Sequence, residues 1–189
     1  MERLSTRLDG PILLAPRKHE DDRGFFCETY RREQFQALGI DAEMVQHNHS
    51  RSREGVVRGL HYQDGQGVAK LVRCVRGSIL DVVVDLRRDS PTFGHWEGFA
   101  LDEESLRMLF CPVGFAHGFC VTSPSADVIY MQTDYFDPEL DRAIAFDDPD
   151  IAIEWPLPPE RLIVSRRDAT APRLAEIAET LPFRLAAGG

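Results

Sequence analysis

The chain has 189 residues, a length that favours one domain with a sizeable hydrophobic core. Its 43% hydrophobic and 28% charged residues are typical of a soluble globular protein, and its net charge of −9 argues against nucleic acid as the main partner. No apolar run approaches the length of a membrane span, and the N-terminus lacks the hydrophobic segment of a signal peptide. The four cysteines form no Cys-x-x-Cys pair, so we expect reduced thiols in a cytoplasmic protein.

Short strands separated by turn residues are predicted over a core of about residues 9–155. The clearest strand covers residues 79–86, in which aliphatic side chains on one face alternate with Asp81, Val83 and Asp85 on the other. A buried carboxylate is costly unless it meets a cation or water, so the acidic face should border solvent or a polar pocket. The other strand candidates are residues 68–76, 95–101, 106–111, 117–122 and 126–134.

Helical signals are few. Residues 31–38 are compatible with a short helix that ends at Gly39. Pro172 is a favourable first residue for a second helix that continues to Thr180. Because several prolines mark the exit from the core after residue 155, we expect a C-terminal helical extension over about residues 156–189.

Two histidines beside glycines are the most informative feature. His61 lies in Val-Arg-Gly-Leu-His-Tyr-Gln at residues 57–63, and His117 ends Pro-Val-Gly-Phe-Ala-His at residues 112–117. The two segments resemble the two halves of the cupin signature, a small β-barrel that usually binds a metal. A metal cupin needs His-x-His and a downstream Glu, but Gln63 replaces the second histidine and no Glu follows at that spacing. Histidines retained without a ligand set suggest acid–base chemistry without metal.

Strand alternation adds a geometric condition to this site. Gly59, His61 and Gln63 share one face of an ideal strand, and Arg58 faces the other way. Arg58 and His61 can contact the same ligand only if Gly59 marks a bulge, or if Arg58 reaches around a rim or into another subunit.

Two further residues are candidates for the chemistry. A tyrosine in a pocket can act as an acid, so Tyr130 is a candidate acid, and the alternative is that it is a tyrosine of the core. Lys70 could neutralise an enolate or simply face solvent.

Two further groups of residues leave alternatives open. His47 and His49 form a His-x-His pair, but no third metal ligand lies at an obvious spacing. Arginines are frequent between residues 23 and 76, and a guanidinium group suits a diphosphate, whereas a single arginine is as readily a solvated surface residue. The chain has no Gly-x-Gly-x-x-Gly fingerprint and no P-loop, which argues against a nucleotide cofactor.

Taken in order, these segments resemble the dTDP-4-dehydrorhamnose 3,5-epimerase family, the RmlC-type cupins, over about residues 8–170. The motifs that carry the resemblance are residues 22–28, 46–50, 58–63, 90–94, 112–119 and 153–156. The resemblance implies a mainly β, cupin-type jelly-roll barrel with short C-terminal helices, in a homodimer with exchanged N-terminal strands. It also implies epimerisation at C3 and C5 of a 4-keto-6-deoxyglucose linked to a nucleotide, for which the resemblance implies dTDP, with no metal or other cofactor.

The resemblance also implies the role of each site residue. His61 would be the base, Asp168 would hold its imidazole, Tyr130 would be the opposing acid, and Lys70 would stabilise the enolate oxygen. Asp81 would support the site from behind the residues that touch the ligand. The implied substrate-binding residues are Arg23, Phe26, Glu28, Gln46, Asn48, Arg58, Lys70, His117, Phe136, Asp141 and Arg167.

Four residues differ from those usual in the family: His47, Phe136, Asp141 and Phe146. They occupy binding positions, so they affect which nucleotide and which sugar are bound more than the type of reaction.

Three alternatives to the 3,5-epimerase function stay open. One is a single-carbon epimerase, another is a metal-dependent cupin oxygenase that uses residues 47, 49, 61 and 117, and the third is a non-catalytic sugar-nucleotide-binding module. An opposed acid and base argue against the third, because binding needs neither.

Overall fold

The computed structural model describes residues 1–185, and most of its regular structure is β-strand. The strands of this part are β1 (Glu2–Leu4), β2 (Ile12–Ala15), β3 (Lys18–Asp21), β4 (Gly24–Cys27), β5 (Gln46–Arg53), β6 (Val56–Gln63), β7 (Lys70–Arg76), β8 (Ser78–Asp85), β9 (Trp96–Asp102), β10 (Met108–Cys111), β11 (Phe115–Val121), β12 (Ser125–Gln132), β13 (Asp141–Ala143) and β14 (Ile163–Val164). The helices are α1 (Arg32–Ala37), α2 (Arg166–Ala169) and α3 (Leu174–Ile177), with 3₁₀ turns at Pro159–Arg161 and Ala178–Thr180.

Two sheets form the body of the protein. The first has the order β1-β2-β10-β7-β12-β5, and the second has the order β13-β6-β11-β8-β9. Strand β14 pairs in parallel with β6, and β3 and β4 form a separate hairpin. Apart from β1–β2 and β8–β9, neighbouring strands in each sheet are not consecutive in the chain, so the sheets depend on long-range pairing. The mainly β prediction is confirmed.

The predicted elements agree closely with the observed ones. All six predicted strands are present, with ends that differ by at most two residues. The first predicted helix is α1, which ends before Gly39, where the backbone adopts a φ of 91°. The second predicted helix begins later than Pro172. It starts at Leu174 because Arg173 is still extended and its N–H donates to the Glu176 carboxylate.

Both faces of the second sheet are covered. Its inner face packs against the first sheet through residues such as Val83 and Phe119. Its outer face, which includes Val82, is covered by Leu174 and Phe183 of the C-terminal segment. Burial on both sides explains why β8 is almost entirely inaccessible to solvent.

The two acids of β8 are both 0% exposed, and each is paired differently. Asp81 accepts a hydrogen bond from His117 at 2.9 Å. Asp85 instead forms an ion pair with Arg87 at 2.8 Å. The prediction that both acids border solvent or one polar pocket is therefore wrong for Asp85, which a neighbouring cation satisfies inside the fold.

The C-terminal extension is not only helical. Residues 163–164 form β14, which pairs with Val56 and Val57 of β6 and so returns the chain to the second sheet. Helix α2 follows directly and lies next to the same strand. Residues 186–189 of the predicted extension lie outside the described residues.

A β-bulge interrupts β6 in its middle. His61 pairs with His117, and Arg58 pairs with Phe119, so between these pairs two residues of β6 oppose one of β11. The extra residue reverses the alternation, and Arg58 and His61 both line the space between the sheets. Gly59 makes this possible, because its φ is 134° and a Cβ there would lie 2.5 Å from the Cα of Gly118.

Candidate active site

A cavity of about 540 Å³ opens between the two sheets. Inward-facing residues of β6, β7, β11 and β12 line it, together with β14 and α2. The four residues predicted to carry the chemistry all border this one space. They are His61, Lys70, Tyr130 and Asp168. Each comes from a different element, so only the tertiary fold brings them together.

His61 and Asp168 form a hydrogen-bonded pair, with 2.7 Å between His61 Nε2 and Asp168 Oδ1. A carboxylate only accepts hydrogen bonds, so Nε2 carries the proton and donates it to Asp168. In the neutral imidazole Nδ1 then holds the free lone pair. This arrangement prepares His61 to accept a proton at Nδ1.

Helix α2 holds Asp168 in place. Ser165 caps the helix, because its hydroxyl accepts a hydrogen bond from the backbone N–H of Asp168 at 3.1 Å. Asp168 is only 4% exposed, and burial alone would raise the pKa of its carboxyl. Hydrogen bonds from His61, Ser165 and the Gly59 backbone, together with the charge of His61, outweigh burial, and the pKa of Asp168 is lowered. Asp168 therefore stays charged and can stabilise an imidazolium.

Tyr130 and Lys70 face the cavity from neighbouring strands of the first sheet. Burial raises the pKa of the Tyr130 hydroxyl, so Tyr130 keeps a proton that it can give. Burial also lowers the pKa of Lys70, although Cys111, Asp141 and Asp81 act in the opposite direction. A poorly solvated ammonium group interacts strongly with any negative charge that develops beside it.

His117 and Asp81 form a second histidine–carboxylate pair in the wall of the cavity. His117 Nε2 lies 2.9 Å and 3.1 Å from the two carboxylate oxygens of Asp81. Asp81 does not line the cavity itself and contacts it through His117. The arrangement agrees with a supporting position for Asp81 and a ligand-facing position for His117.

Four of the predicted substrate-binding residues lie around the opening of the cavity: Arg58, Phe136, Asp141 and Arg167. Arg167 Nη1 lies 2.5 Å from Asp141 Oδ2, and this carboxylate raises the pKa of the guanidinium. Arg58 Nε donates to Ser52 Oγ at 3.0 Å. Phe136 is 53% exposed, so its ring is available to a ligand at the entrance.

Gln46 and Asn48 lie on the inward face of β5 but do not line the cavity. Gln46 Nε2 donates to Asn48 Oδ1 at 3.0 Å, and Gln46 Oε1 accepts from the backbone N–H of Phe136 at 2.9 Å. Asn48 Nδ2 lies 3.4 Å from Gln132 Oε1. In this conformation the two amides support the cavity wall.

The remaining predicted binding residues lie away from the cavity. Arg23 is in the turn of the β3–β4 hairpin, where it pairs with Asp21 at 2.5 Å. Phe26 is 73% exposed on β4, and Glu28 follows the hairpin and pairs with Arg31. A single chain does not bring Arg23, Phe26 or Glu28 to its own cavity.

Several cavity residues were missed in the sequence. Ser50, Gln63, Gln132 and Ser165 line the cavity but had no predicted role in binding or catalysis. The Ser-x-x-Asp spacing of Ser165 and Asp168 is a helix-cap signal that could have identified Ser165. Gln63 was noted as a replacement for a metal ligand and as a residue on the same strand face as His61, but nothing in the sequence indicates its hydrogen bonds.

The histidines do not form one group. His47 and His49 are exposed on the outer face of β5, whereas His61 and His117 line the cavity. Within residues 1–185 no three or more His, Cys, Asp or Glu side chains are grouped so that they could hold a metal ion.

In the same part of the chain, no helix has the length and apolar character needed to cross a membrane.

A family model described as dTDP-4-dehydrorhamnose 3,5-epimerase matches residues 5–176. The chain belongs to the dTDP-4-dehydrorhamnose 3,5-epimerase family. A family relative of that name from Pseudomonas aeruginosa is 51% identical over 156 residues, which cover 81% of this chain and 86% of the relative. A dTDP-4-dehydrorhamnose 3-epimerase from Streptomyces niveus is 41% identical over 171 residues, 89% of this chain and 82% of the relative.

A solved structure of the epimerase family has the same fold. It is a dTDP-6-deoxy-D-glucose-3,5-epimerase from Legionella pneumophila in complex with dTDP-4-keto-L-rhamnose. The TM-score is 0.94 at 44% sequence identity, and the match covers 98% of this chain and 99% of the other. The predicted family and the predicted cupin-type jelly roll are both confirmed.

Proposed function

We propose that this protein epimerises dTDP-4-dehydro-6-deoxy-D-glucose at C3 and C5 to give dTDP-4-dehydro-L-rhamnose, with no cofactor. The observation that carries the proposal is the His61–Asp168 pair, which faces the same cavity as Tyr130 and Lys70. Such a reaction needs a base, an acid and a group that stabilises negative charge. The cavity offers a base held by a carboxylate, an acid that keeps its proton, and an ammonium group.

The chemistry follows from the ketone at C4, which acidifies the C–H bonds at C3 and C5. His61 Nδ1 takes the proton from one of these carbons, and the electron pair of the broken C–H bond forms an enolate. Asp168 stabilises the imidazolium, and Lys70 stabilises the enolate oxygen. Tyr130 gives a proton to the opposite face of the same carbon. Solvent then takes the proton from the His61 imidazolium and restores the Tyr130 hydroxyl, so that both groups can act at the second carbon.

Substrate binding uses the residues around the opening. Arg58 and Arg167 offer guanidinium groups that suit a diphosphate, and Phe136 offers an aromatic surface. Asp141 holds Arg167 by their ion pair. His117, which Asp81 orients, completes the wall beside His61.

The proposal includes a homodimer with exchanged N-terminal strands, in which each chain completes the site of its partner. The β3–β4 hairpin supports it, because Arg23, Phe25 and Phe26 are exposed there and contact no ligand site of their own chain. Strand β1 is an edge strand, and a second chain could replace it in its pairing with β2.

The proposed location is the cytoplasm. The four cysteines are free thiols, which suits a reducing compartment.

Product analysis tests the reaction type. The purified protein is incubated with dTDP-4-keto-6-deoxyglucose, and the keto sugars are reduced chemically and identified. We expect L-configured 6-deoxyhexoses, in amounts that a chelator does not change. Recovery of D-configured sugars inverted at C3 alone would instead favour the activity named for the Streptomyces niveus relative. Stoichiometric iron, nickel or manganese in an inactive preparation would favour an oxygenase.

A further inference from the structure

Two glutamines hold the loop that carries Phe136. This loop, residues 133–140, connects β12 to β13 at the opening of the cavity. Gln63 Nε2 donates to the carbonyl oxygen of Tyr135 at 3.3 Å, and Gln63 Oε1 accepts from the N–H of Asp137 at 3.2 Å. Gln46 Oε1 accepts from the N–H of Phe136 at 2.9 Å. Three consecutive loop residues are therefore each hydrogen-bonded to a side-chain amide.

The two glutamines come from opposite sheets. Gln46 begins β5 at the edge of the first sheet, and Gln63 ends β6 in the second. Gln63 also pairs in register with Asp141, the first residue of β13. It therefore contacts the loop tip and the strand to which the loop returns, and it ties both to the strand of His61.

We infer that Gln63 is a positioning residue that fixes residues 135–137 and thereby the aromatic wall that Phe136 presents to the nucleotide sugar. This role rests on the proposed function, since it concerns how the same cavity holds its substrate. Gln63 lines the cavity two residues beyond His61, on the same face of β6. It does not touch the reacting carbons in this role and acts through the loop.

The chemistry of the amide explains why glutamine suits this position. A primary amide donates and accepts at the same time, so it can pair with a carbonyl and an N–H on either side of Phe136. A carboxylate can only accept, and a thioether of similar size does neither well. The exposed side chains of Tyr135 and Phe136 bury little apolar surface, so hydrogen bonds contribute much of what orders the loop.

Amide hydrogen exchange of the ligand-free protein tests the anchor directly. In Gln63→Met the Asp137 amide loses its acceptor, so we expect it to exchange about fivefold faster or more, while core amides such as Val83 keep their rates. Gln66→Met is the matched control, because Gln66 is an exposed glutamine just after β6. Gln63→Glu keeps the acceptor for Asp137 and should retain most of the protection. An Asp137 amide that exchanges at the wild-type rate in Gln63→Met would overturn the inference.

Kinetics separate positioning from a role in the chemistry. In Gln63→Met we expect the KM for the dTDP-sugar to rise about 3- to 10-fold, with kcat within about twofold of the wild-type value. A large fall in kcat at constant KM would overturn the positioning role. The exchange experiment needs no turnover, so a wild-type protein without epimerase activity would sink the proposed function and leave the loop anchor to be judged by Asp137 alone.

Discussion

His61 has a buried carboxylate partner and lines the cavity, as His117 does, but the side chain of His61 is more exposed, at 27% against 8%. Its motif and its neighbouring glycine made His61 predictable from local sequence. Asp168 lies 107 residues away from it, and no local pattern connects the two. Its pairing with His61 was expected only through the resemblance to a family, and its place on a capped helix became visible in the structure alone.

Replacing His61 by asparagine should abolish the first proton transfer. Loss of a general base typically costs about 10²- to 10⁴-fold, so hydrogen exchange at C3 and C5 should fall by that factor in the variant. The measurement is proton NMR of the keto sugar in D₂O. His49→Asn is the matched control, because His49 is exposed on the outer face of β5, and it should exchange like the wild type. Exchange that persists in His61→Asn would remove His61 as the base.

The lowered pKa of Asp168 predicts a pH-dependent contribution to stability. A carboxyl whose folded pKa lies below its ordinary value of 3.8 stabilises the fold above that value, and this stability is lost as the pH falls through the lowered pKa. We expect Asp168→Asn to lower the free energy of unfolding by about 1–3 kcal/mol near pH 7, and by less near pH 3, where part of this contribution is lost. Urea unfolding at both pH values measures the difference, with exposed Asp147→Asn as the control. A cost that is equal at both pH values would contradict the assigned cause.

At the scale of elements, long strands rich in aliphatic residues could be predicted well, and short or irregular elements could not. The strand at residues 79–86 was located because acidic and aliphatic side chains alternate between its faces, and the strand at residues 126–134 because it contains a strand-like apolar run. Strand β14 has two residues and α2 has four, which is too short for any period to appear. The bulge in β6 was anticipated as one solution to a conflict, because Arg58 and His61 could share a ligand only if the alternation changed between them.

Gly59→Ala tests the bulge. The substitution forces a side chain into a backbone with φ of 134° and against the Cα of Gly118 at 2.5 Å. We expect a loss of about 3 kcal/mol or more in the free energy of unfolding, with loss of activity, because both Arg58 and His61 depend on this backbone. Gly24→Ala is the control for strain alone, since its φ is 120° and nothing lies within 4 Å of the added methyl group. Equal costs for the two variants would show that close packing at Gly59 contributes nothing.

At the scale of the whole molecule, the layered β architecture was predictable, whereas the order of strands in each sheet was not. The first sheet places β10 between β2 and β7, a pairing between residues far apart in sequence. No periodicity in one segment indicates which distant segment it meets. The same limit applies to the hairpin, because Arg23 and Phe26 contact no cavity within one chain.

Mixing two inactive variants tests whether sites are shared between chains. Arg23→Ala removes a residue proposed to act in the site of the partner, and His61→Ala removes the base of its own site. If chains exchange freely, roughly a quarter of the sites in an equal mixture carry neither change, so about that share of activity should return. Each variant alone, incubated under the same conditions, is the control. A mixture no more active than the two variants measured separately would contradict a shared site.

The most direct measurement is proton NMR of the wild-type protein with dTDP-4-keto-6-deoxyglucose in D₂O. One base, one acid and a stabilised enolate in a single cavity predict that deuterium enters at both C3 and C5 as the L-sugar forms. Deuterium at only one carbon would contradict the double epimerisation and assign the protein a single-carbon reaction. No exchange at either carbon would contradict the proposed substrate altogether.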